Sequence, residues 1–338
     1  MTNGSVKIAV DVGYGLTKAA SSLGLKACFP SVAAPATPSD PLGGALGNRA
    51  GHRVSLRGAE GPPLERLVGE AALRSLAAAA TLSREKPAAL HDLFVVAAAY
   101  LVGADSGRPP AGSPPELCVG LPLAYYSSQR DALRKRLSGL AVYASVDGGP
   151  ERRVSFSRVL VVPQGAGVAF AEAGRLPDGL VGVVDVGTYT TDYLLLEVEG
   201  GRPMPVAEAC GSAEVGVHLV ARAVASAFQA ATGAPLPVWA ERGALEKAAR
   251  GEPVKFGGRA VDLTPAYRAA VRDAATAVAQ QVLAAWGNRA AFLEATLLAG
   301  GGAVLFRSEL ERALPCARVV DDPLFANCRG YLAALGGA

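Results

Sequence analysis

One eight-residue pattern occurs twice. Residues 10–17 read Val-Asp-Val-Gly-Tyr-Gly-Leu-Thr, and residues 184–191 read Val-Asp-Val-Gly-Thr-Tyr-Thr-Thr. The copies start 174 residues apart in a chain of 338, about half its length. Each closes an apolar, β-branched run and is followed by more strand-like residues. The order is therefore strand, turn, strand. It is not the strand, loop and helix of a P-loop, and no G-x-x-x-x-G-K-[ST] occurs. A length of 338 residues suits two domains or two similar halves.

The chemistry of such a pair follows from its residues. Glycine lets backbone N–H groups approach phosphate oxygens closely. Gly13, Tyr14, Gly15, Leu16 and Thr17 form the first turn; Gly187, Thr188, Tyr189 and Thr190 form the second. Asp11 and Asp185 stand at the strand ends, where a carboxylate holds Mg²⁺ through its waters. Lys18 is a compact charge placed to neutralise phosphate. Two ordinary β-hairpins with Asp as turn former are the competing reading. A second copy at half-chain spacing argues against it, as does a third element: strand residues 296–299 run into Gly300, Gly301 and Gly302. Three glycines after a strand let a flat ring or ribose lie against backbone. A plain Gly-rich strand-to-helix connection is the alternative there.

Strand and helix patterns alternate along the chain, which makes the fold class α/β. Strands are expected near 6–12, 117–121, 160–162, 180–186, 193–198, 295–299 and 318–320. Helices are expected over 64–82, 91–102, 127–138, 166–173, 215–231, 263–286, 306–313 and 326–335. Residues 35–63 are dense in Gly and Pro and read as a loop-rich insertion, with a possible edge strand at 53–57. A second loop-rich piece runs from 233 to 258. The longest uncharged apolar run, 93–102, is ten residues, short of the roughly 20 that a bilayer needs. The first ten residues carry one Lys and then strand-like residues, unlike a signal peptide. The five cysteines include no C-x-x-C, so reduced thiols in a cytoplasm are expected. A net charge of +3 gives no support for direct nucleic-acid binding.

The order of first phosphate turn, connecting helix, second phosphate turn and final glycines resembles the actin-like ATPase superfamily. Within it, the chain looks most like the ParM/StbA/Alp type of plasmid-segregation actin. Residues 11–18 and 185–192 match the two turns of that type. Residues 211–220, which include Glu214, resemble the segment that opens its second subdomain helix. Residues 325–331 resemble its F-A-N-x-x-G-[FY]. The resemblance implies two related domains with ribonuclease H-like cores flanking a nucleotide cleft, each with a small inserted subdomain. Domain I would be 1–179 with 316–338, its loop-rich subdomain at about 35–90. Domain II would be 180–315, its small subdomain at about 219–259. Asp11 and Asp185 would be the metal residues. The cofactors would be ATP, or GTP, with Mg²⁺. Lys247 falls where actin-like proteins place residues near the adenine. One position departs: where ParM carries Pro-Glu, this chain has Pro163-Gln164, as eukaryotic actin does. Gln orients water by hydrogen bonds but is no general base. Asp11, Asp185 and Gln164 are thus the catalytic candidates, with Glu172 as the alternative to Gln164.

The implied function is an ATPase that polymerises head to tail with ATP and disassembles after hydrolysis, for plasmid or DNA segregation. It would reach DNA through an adaptor protein, with no membrane partner. Two rivals use the same fold. A sugar-type kinase would need an Asp base, for which Asp147 and Asp192 offer themselves. A non-polymerising assembly ATPase of the membrane-targeted kind would need a basic tail, and no basic residue follows Arg329.

Overall fold

The computed structural model describes residues 5–36, 51–59, 61–75, 79–80, 87–105 and 114–336. The chain divides into two compact units. The first holds residues 1–172 and 325–338, the second 173–324.

The first unit is built on a five-stranded sheet. Its order is Lys26–Pro30, Leu16–Ser21, Lys7–Val12, Glu116–Leu121, Arg158–Pro163. The first three strands run antiparallel as consecutive hairpins, and the last two pair parallel. The second unit's sheet has six strands and repeats that order in five of them: Arg202–Pro205, Thr191–Glu199, Gly179–Val186, Leu293–Ala299, Ala317–Val319; the sixth, Gly211–Ala213, pairs with Thr191–Glu199. The first three of the five are antiparallel and the last two parallel. In both units the strand that carries Val-Asp-Val is the middle one. It is buried along its length, which explains its near-continuous apolar run.

Helix Ala88–Leu101 shows why the ten-residue apolar run is no membrane signal. It packs on the strands Lys7–Val12 and Leu16–Ser21 and also on Ala141–Val146 and Arg152–Ser155. Residues Leu93 to Ala99 are all buried. A helix apolar all round is a helix covered all round. Among the described residues no helix is long and apolar enough to cross a membrane.

Several expectations need correction. The described part of 35–90 is not loop-rich. His52–Arg57 and Leu64–Val68 are strands of a second, six-stranded antiparallel sheet, with Val32–Pro35, Ala79–Ala80, Ala141–Val146 and Arg152–Ser155. His52–Arg57 is paired on both sides, so it is interior rather than an edge. The helix expected over 64–82 is a strand followed by the single turn Glu70–Leu73. Residues 37–50, also in that insertion, lie outside the described residues. In the second unit, the piece read as loop contains helix Val238–Arg250 and the hairpin Val254–Phe256/Arg259–Val261. Residues 173–179 and 316–324, placed in domain I from the sequence, sit in the second unit. Strand Ala317–Val319 pairs with Leu293–Ala299, which fixes them there.

Candidate functional site

The first turn is a tight hairpin. The Gly13 N–H donates to the Leu16 carbonyl at 3.0 Å. A Cβ at Gly13 would lie 2.8 Å from that same oxygen, so the turn excludes any larger residue without a shift. Ser31 supports it from the next strand: its Oγ donates to the Gly13 carbonyl at 2.8 Å and lies 2.9 Å from Thr17 Oγ1. Its N–H donates to the Gly15 carbonyl at 2.9 Å. Tyr14 is buried.

Asp11 and Lys18 are direct cross-strand partners. Lys18 Nζ donates to Asp11 Oδ2 at 2.6 Å, and Gln164 Nε2 donates to Asp11 Oδ1 at 2.6 Å. Asp11 is 2% exposed and Gln164 7%. The hairpin and the end of strand Arg158–Pro163 thus converge on one buried carboxylate. Charge-assisted bonds of this kind are the strong ones, and inside a protein they are strengthened further.

Glu172, the alternative to Gln164, sits elsewhere. It is buried at the end of helix Ala166–Glu172 and accepts from Arg329 at 3.1 Å. Gln164 is therefore the residue that the structure brings to Asp11.

The second turn repeats the first. The Gly187 N–H donates to the Thr190 carbonyl at 2.9 Å, and a Cβ at Gly187 would lie 2.8 Å from that oxygen. Asp185 is buried at the same place in its strand. Its cross-strand partner, however, is Asp192, where the first hairpin has Lys18. Asp192 accepts a hydrogen bond from Ser212 Oγ. The two turns are alike in backbone and opposite in the charge beside them.

The glycine run packs onto this strand. Gly300 has φ +82°, and a Cβ there would lie 2.4 Å from the Val186 carbonyl oxygen and 2.5 Å from Asp185 Oδ1. A Cβ at Gly302 would meet Val186 Cγ1 at 2.4 Å. Two of the three glycines are thus explained by packing against the strand. Only at Gly301 would a Cβ meet nothing closer than Leu324 at 3.7 Å. Backbone open to a flat ring or ribose is therefore offered at Gly301 alone of the three.

Glu214 is exposed and lies two residues before Gly216. A Cβ on Gly216 would come within 2.7 Å of the Gly187 carbonyl oxygen. Lys247 lies on helix Val238–Arg250. Its helix packs through Ala244 and Ala248 into a separate small core with Val224, Phe228 and Leu263.

Sequence reasoning gave no site role to Ser31, Ser212 or Asn327, although the last two lie within the segments 211–220 and 325–331, and it read His218 as a helix-surface or satisfied, partly buried histidine. The imidazole of His218 donates from Nδ1 to the Thr188 carbonyl at 3.1 Å and stacks on the Tyr189 ring at 4.6 Å. Its spacing in the helix His218–Thr232 gave no hint of this, because the partner lies 30 residues away.

Burial holds the His218 proton affinity below the ordinary value of 6.5; the Thr188 carbonyl and Glu214 oppose the shift, and Arg222 adds to it. A base with a lowered folded-state pKa adds stability that is full above the unfolded value and is lost as pH falls through the folded one. We expect thermal stability to drop below about pH 6.5, and the drop to be smaller in His218→Asn. Identical pH profiles for the two proteins would show that His218 is not the group responsible.

The chain is similar to known proteins. Residues 9–167 match the family described as actin like proteins, N terminal domain, and residues 183–312 match archaeal actin homologue MreB-like, C-terminal. An archaeal actin homolog of Thermoplasma acidophilum is 26% identical, covering 96% of this chain and 97% of that protein. One from Thermoplasma volcanium is 27% identical over the same shares. The ParM subunit of a 15-stranded filament from Clostridium botulinum superimposes with a TM-score of 0.86, at 22% identity over 98% of this chain and 99% of that one. An archaeal actin homolog solved in complex with ADP gives 0.76, at 21% identity over 98% and 100%. The repeated five-strand order is the actin-like fold.

Proposed function

We propose, for a chain that belongs to the actin-like superfamily and resembles ParM, that it binds and hydrolyses ATP and assembles into filaments while ATP is bound. The observation that carries this reading is the duplication. Each unit places a like glycine hairpin and a buried Asp at the end of the middle strand of the same five-strand order. One such hairpin alone reads as an ordinary turn; its recurrence in each unit favours a phosphate-binding role for both. The ParM filament and the ADP complex of the archaeal homolog support the nucleotide and the polymer as expectations for this chain.

The donors fit a hydrated divalent cation. Asp11 and Asp185 are each a buried carboxylate beside a glycine turn of its own unit, and oxygen donors of this kind suit Mg²⁺. When bound, the metal would offset charge on the phosphates. The chain's own residues would do the rest. Lys18, held by Asp11, adds positive charge at the first turn. Gln164 uses Nε2 on Asp11, which leaves Oε1 as the atom able to accept a hydrogen bond from the attacking water. An amide cannot take up the proton at neutral pH, so its role is to orient, as Gln does in small GTPases.

Both candidate bases of the kinase rival already have hydrogen-bond partners. Asp147 accepts from the Arg53 N–H at 2.8 Å and lies 2.7 Å from His52 Nδ1. Asp192 is engaged by Ser212. Segregation of plasmid or other DNA in the cytoplasm, through an adaptor protein, is the role we assign to the filament. Nucleotide choice between ATP and GTP is part of the same test.

The test is light scattering with ATP, GTP, ADP or no nucleotide, in Mg²⁺, followed by electron microscopy. We expect polymer above a critical concentration with ATP, fading as ADP accumulates. Head-to-tail contacts that do not close give an open filament, and ATP can drive assembly only by binding better to the assembling state. A strictly monomeric protein at all nucleotide and salt conditions, with phosphate transferred to a sugar, would return the kinase to first place.

A further inference from the structure

We propose that Asn327 is a positioning residue for hydrolysis and acts through Gln164. This rests on the reading above, in which Gln164 orients the attacking water.

Gln164 sits at a junction between strand Arg158–Pro163 and helix Ala166–Glu172. Its own N–H donates to the Leu121 carbonyl at 2.7 Å, which continues the sheet by one residue. The next peptide is the unusual one. Gly165 has φ +80°, and its carbonyl accepts from Val168 N at 3.0 Å as the helix begins. Its N–H points away from both elements' ladders. It finds a partner 162 residues away, Asn327 Oδ1, at 3.1 Å.

Asn327 is 6% exposed. It is wedged as well as bonded: a Cβ on Gly167 would lie 2.7 Å from Asn327 Oδ1 and 2.8 Å from Asn327 Cα. The neighbouring residues of helix Ala326–Ala334 grip the rest of the same site. Cys328 Sγ donates to the Lys18 carbonyl at 3.5 Å, Arg329 pairs with Glu172, and Gly330 abuts Gly167. One helical turn therefore fixes the hairpin on one side and the Gln164 junction on the other.

The Gln164–Gly165 peptide is bonded to the Gln164 Cα, so anchoring it restrains the backbone that carries the Gln164 side chain. Glycine at positive φ tolerates other orientations of that peptide. The Asn327 acceptor selects one of them and spares a buried N–H from lacking a partner. In that orientation Gln164 reaches Asp11 at 2.6 Å. Without it, a catalytic amide displaced by about 1 Å can cost up to about 10²-fold in rate.

The experiment compares Asn327→Ala, Asn327→Asp, Gln164→Ala and the double variant Asn327→Ala/Gln164→Ala. Turnover of ATP, KM for ATP, and exchange protection of the Gly165 amide proton in the nucleotide-free protein are read for each. We expect Asn327→Ala to lose turnover by about 10-fold or more, with KM little changed and the Gly165 amide deprotected. Asn327→Asp keeps an acceptor and should restore both protection and most of the turnover. The double variant should be no slower than Gln164→Ala alone, because Asn327 has nothing left to position. Equal losses from Asn327→Ala in the wild-type and Gln164→Ala backgrounds would overturn the proposal, as would unchanged turnover with Gln164→Ala slow. Wild-type turnover in Gln164→Ala would overturn the underlying reading instead.

Discussion

Asp11→Ala and Asp185→Ala should each cut ATP turnover by about 10²-fold or more, the usual scale for losing one preorganised electrostatic group. The two losses differ in cause. Asp11 takes hydrogen bonds from both Lys18 and Gln164, so its removal frees a charge and the water-orienting amide together. Asp185 lies against Gly300 and beside Asp192, so its removal alters the second turn's acidic side. Nucleotide affinity should fall less than turnover in at least one of them, since backbone donors of both turns persist. Phosphate release measured with saturating ATP and Mg²⁺ checks the first claim, and nucleotide titration checks the second. Near-wild-type hydrolysis in both variants would sink the assignment of the repeated turn.

Gly330→Ala should be the most destabilising small substitution in the first unit. A Cβ there would lie 1.7 Å from the Gly167 carbonyl oxygen and 2.5 Å from its carbon. That contact is backbone, which cannot swing aside as a side chain can. The helices Ala166–Glu172 and Ala326–Ala334 would have to separate, at a cost of about 3 kcal/mol, the upper part of the range for overpacking. Gly243→Ala makes the opposite case. Gly243 lies inside helix Val238–Arg250, and a Cβ there meets nothing within 4 Å. It should gain up to about 1 kcal/mol from helix propensity alone. Denaturant unfolding of both variants tests the contrast. A Gly330→Ala protein as stable as the parent would mean that the two helices are not in backbone contact.

The repeated turns were legible because each is a local pattern of strand, glycine and hydroxyl. Their spacing exposed the duplication without any long-range information. The six-stranded sheet was not legible, for the converse reason. Its strands come from three separated stretches, and pairing between them leaves no local mark. Leu64, Leu67, Val68, Ala71 and Ala72 follow helical spacing as well as any true helix does. Gly69, at φ +72°, stops that helix, and Leu64–Val68 pairs with His52–Arg57 and Val32–Pro35 instead. Helix Val238–Arg250 was hidden by the glycine in its middle and the prolines before it. At the site, Asp11, Lys18 and Gln164 were named from the sequence, but not their convergence on one carboxylate. Asn327 lies in the F-A-N-x-x-G-[FY] segment, but its bond to the Gly165 N–H is long-range and leaves no local mark, and Ser31 belongs to no motif.

The first unit is not continuous in sequence: residues 325–336 complete what residues 5–172 begin. This sets an order in time on the ribosome. Synthesis delivers the first glycine hairpin before the second unit, yet the helix that grips its Lys18 carbonyl and the Gly165 amide is made after the whole of the second unit. The earliest part of the site to be made is among the last to be fully secured. A nascent chain therefore carries the first hairpin with its Ser31 bonds but without the bond from that helix, and only a chain translated past residue 330 can hold both halves of the Gly167–Gly330 contact.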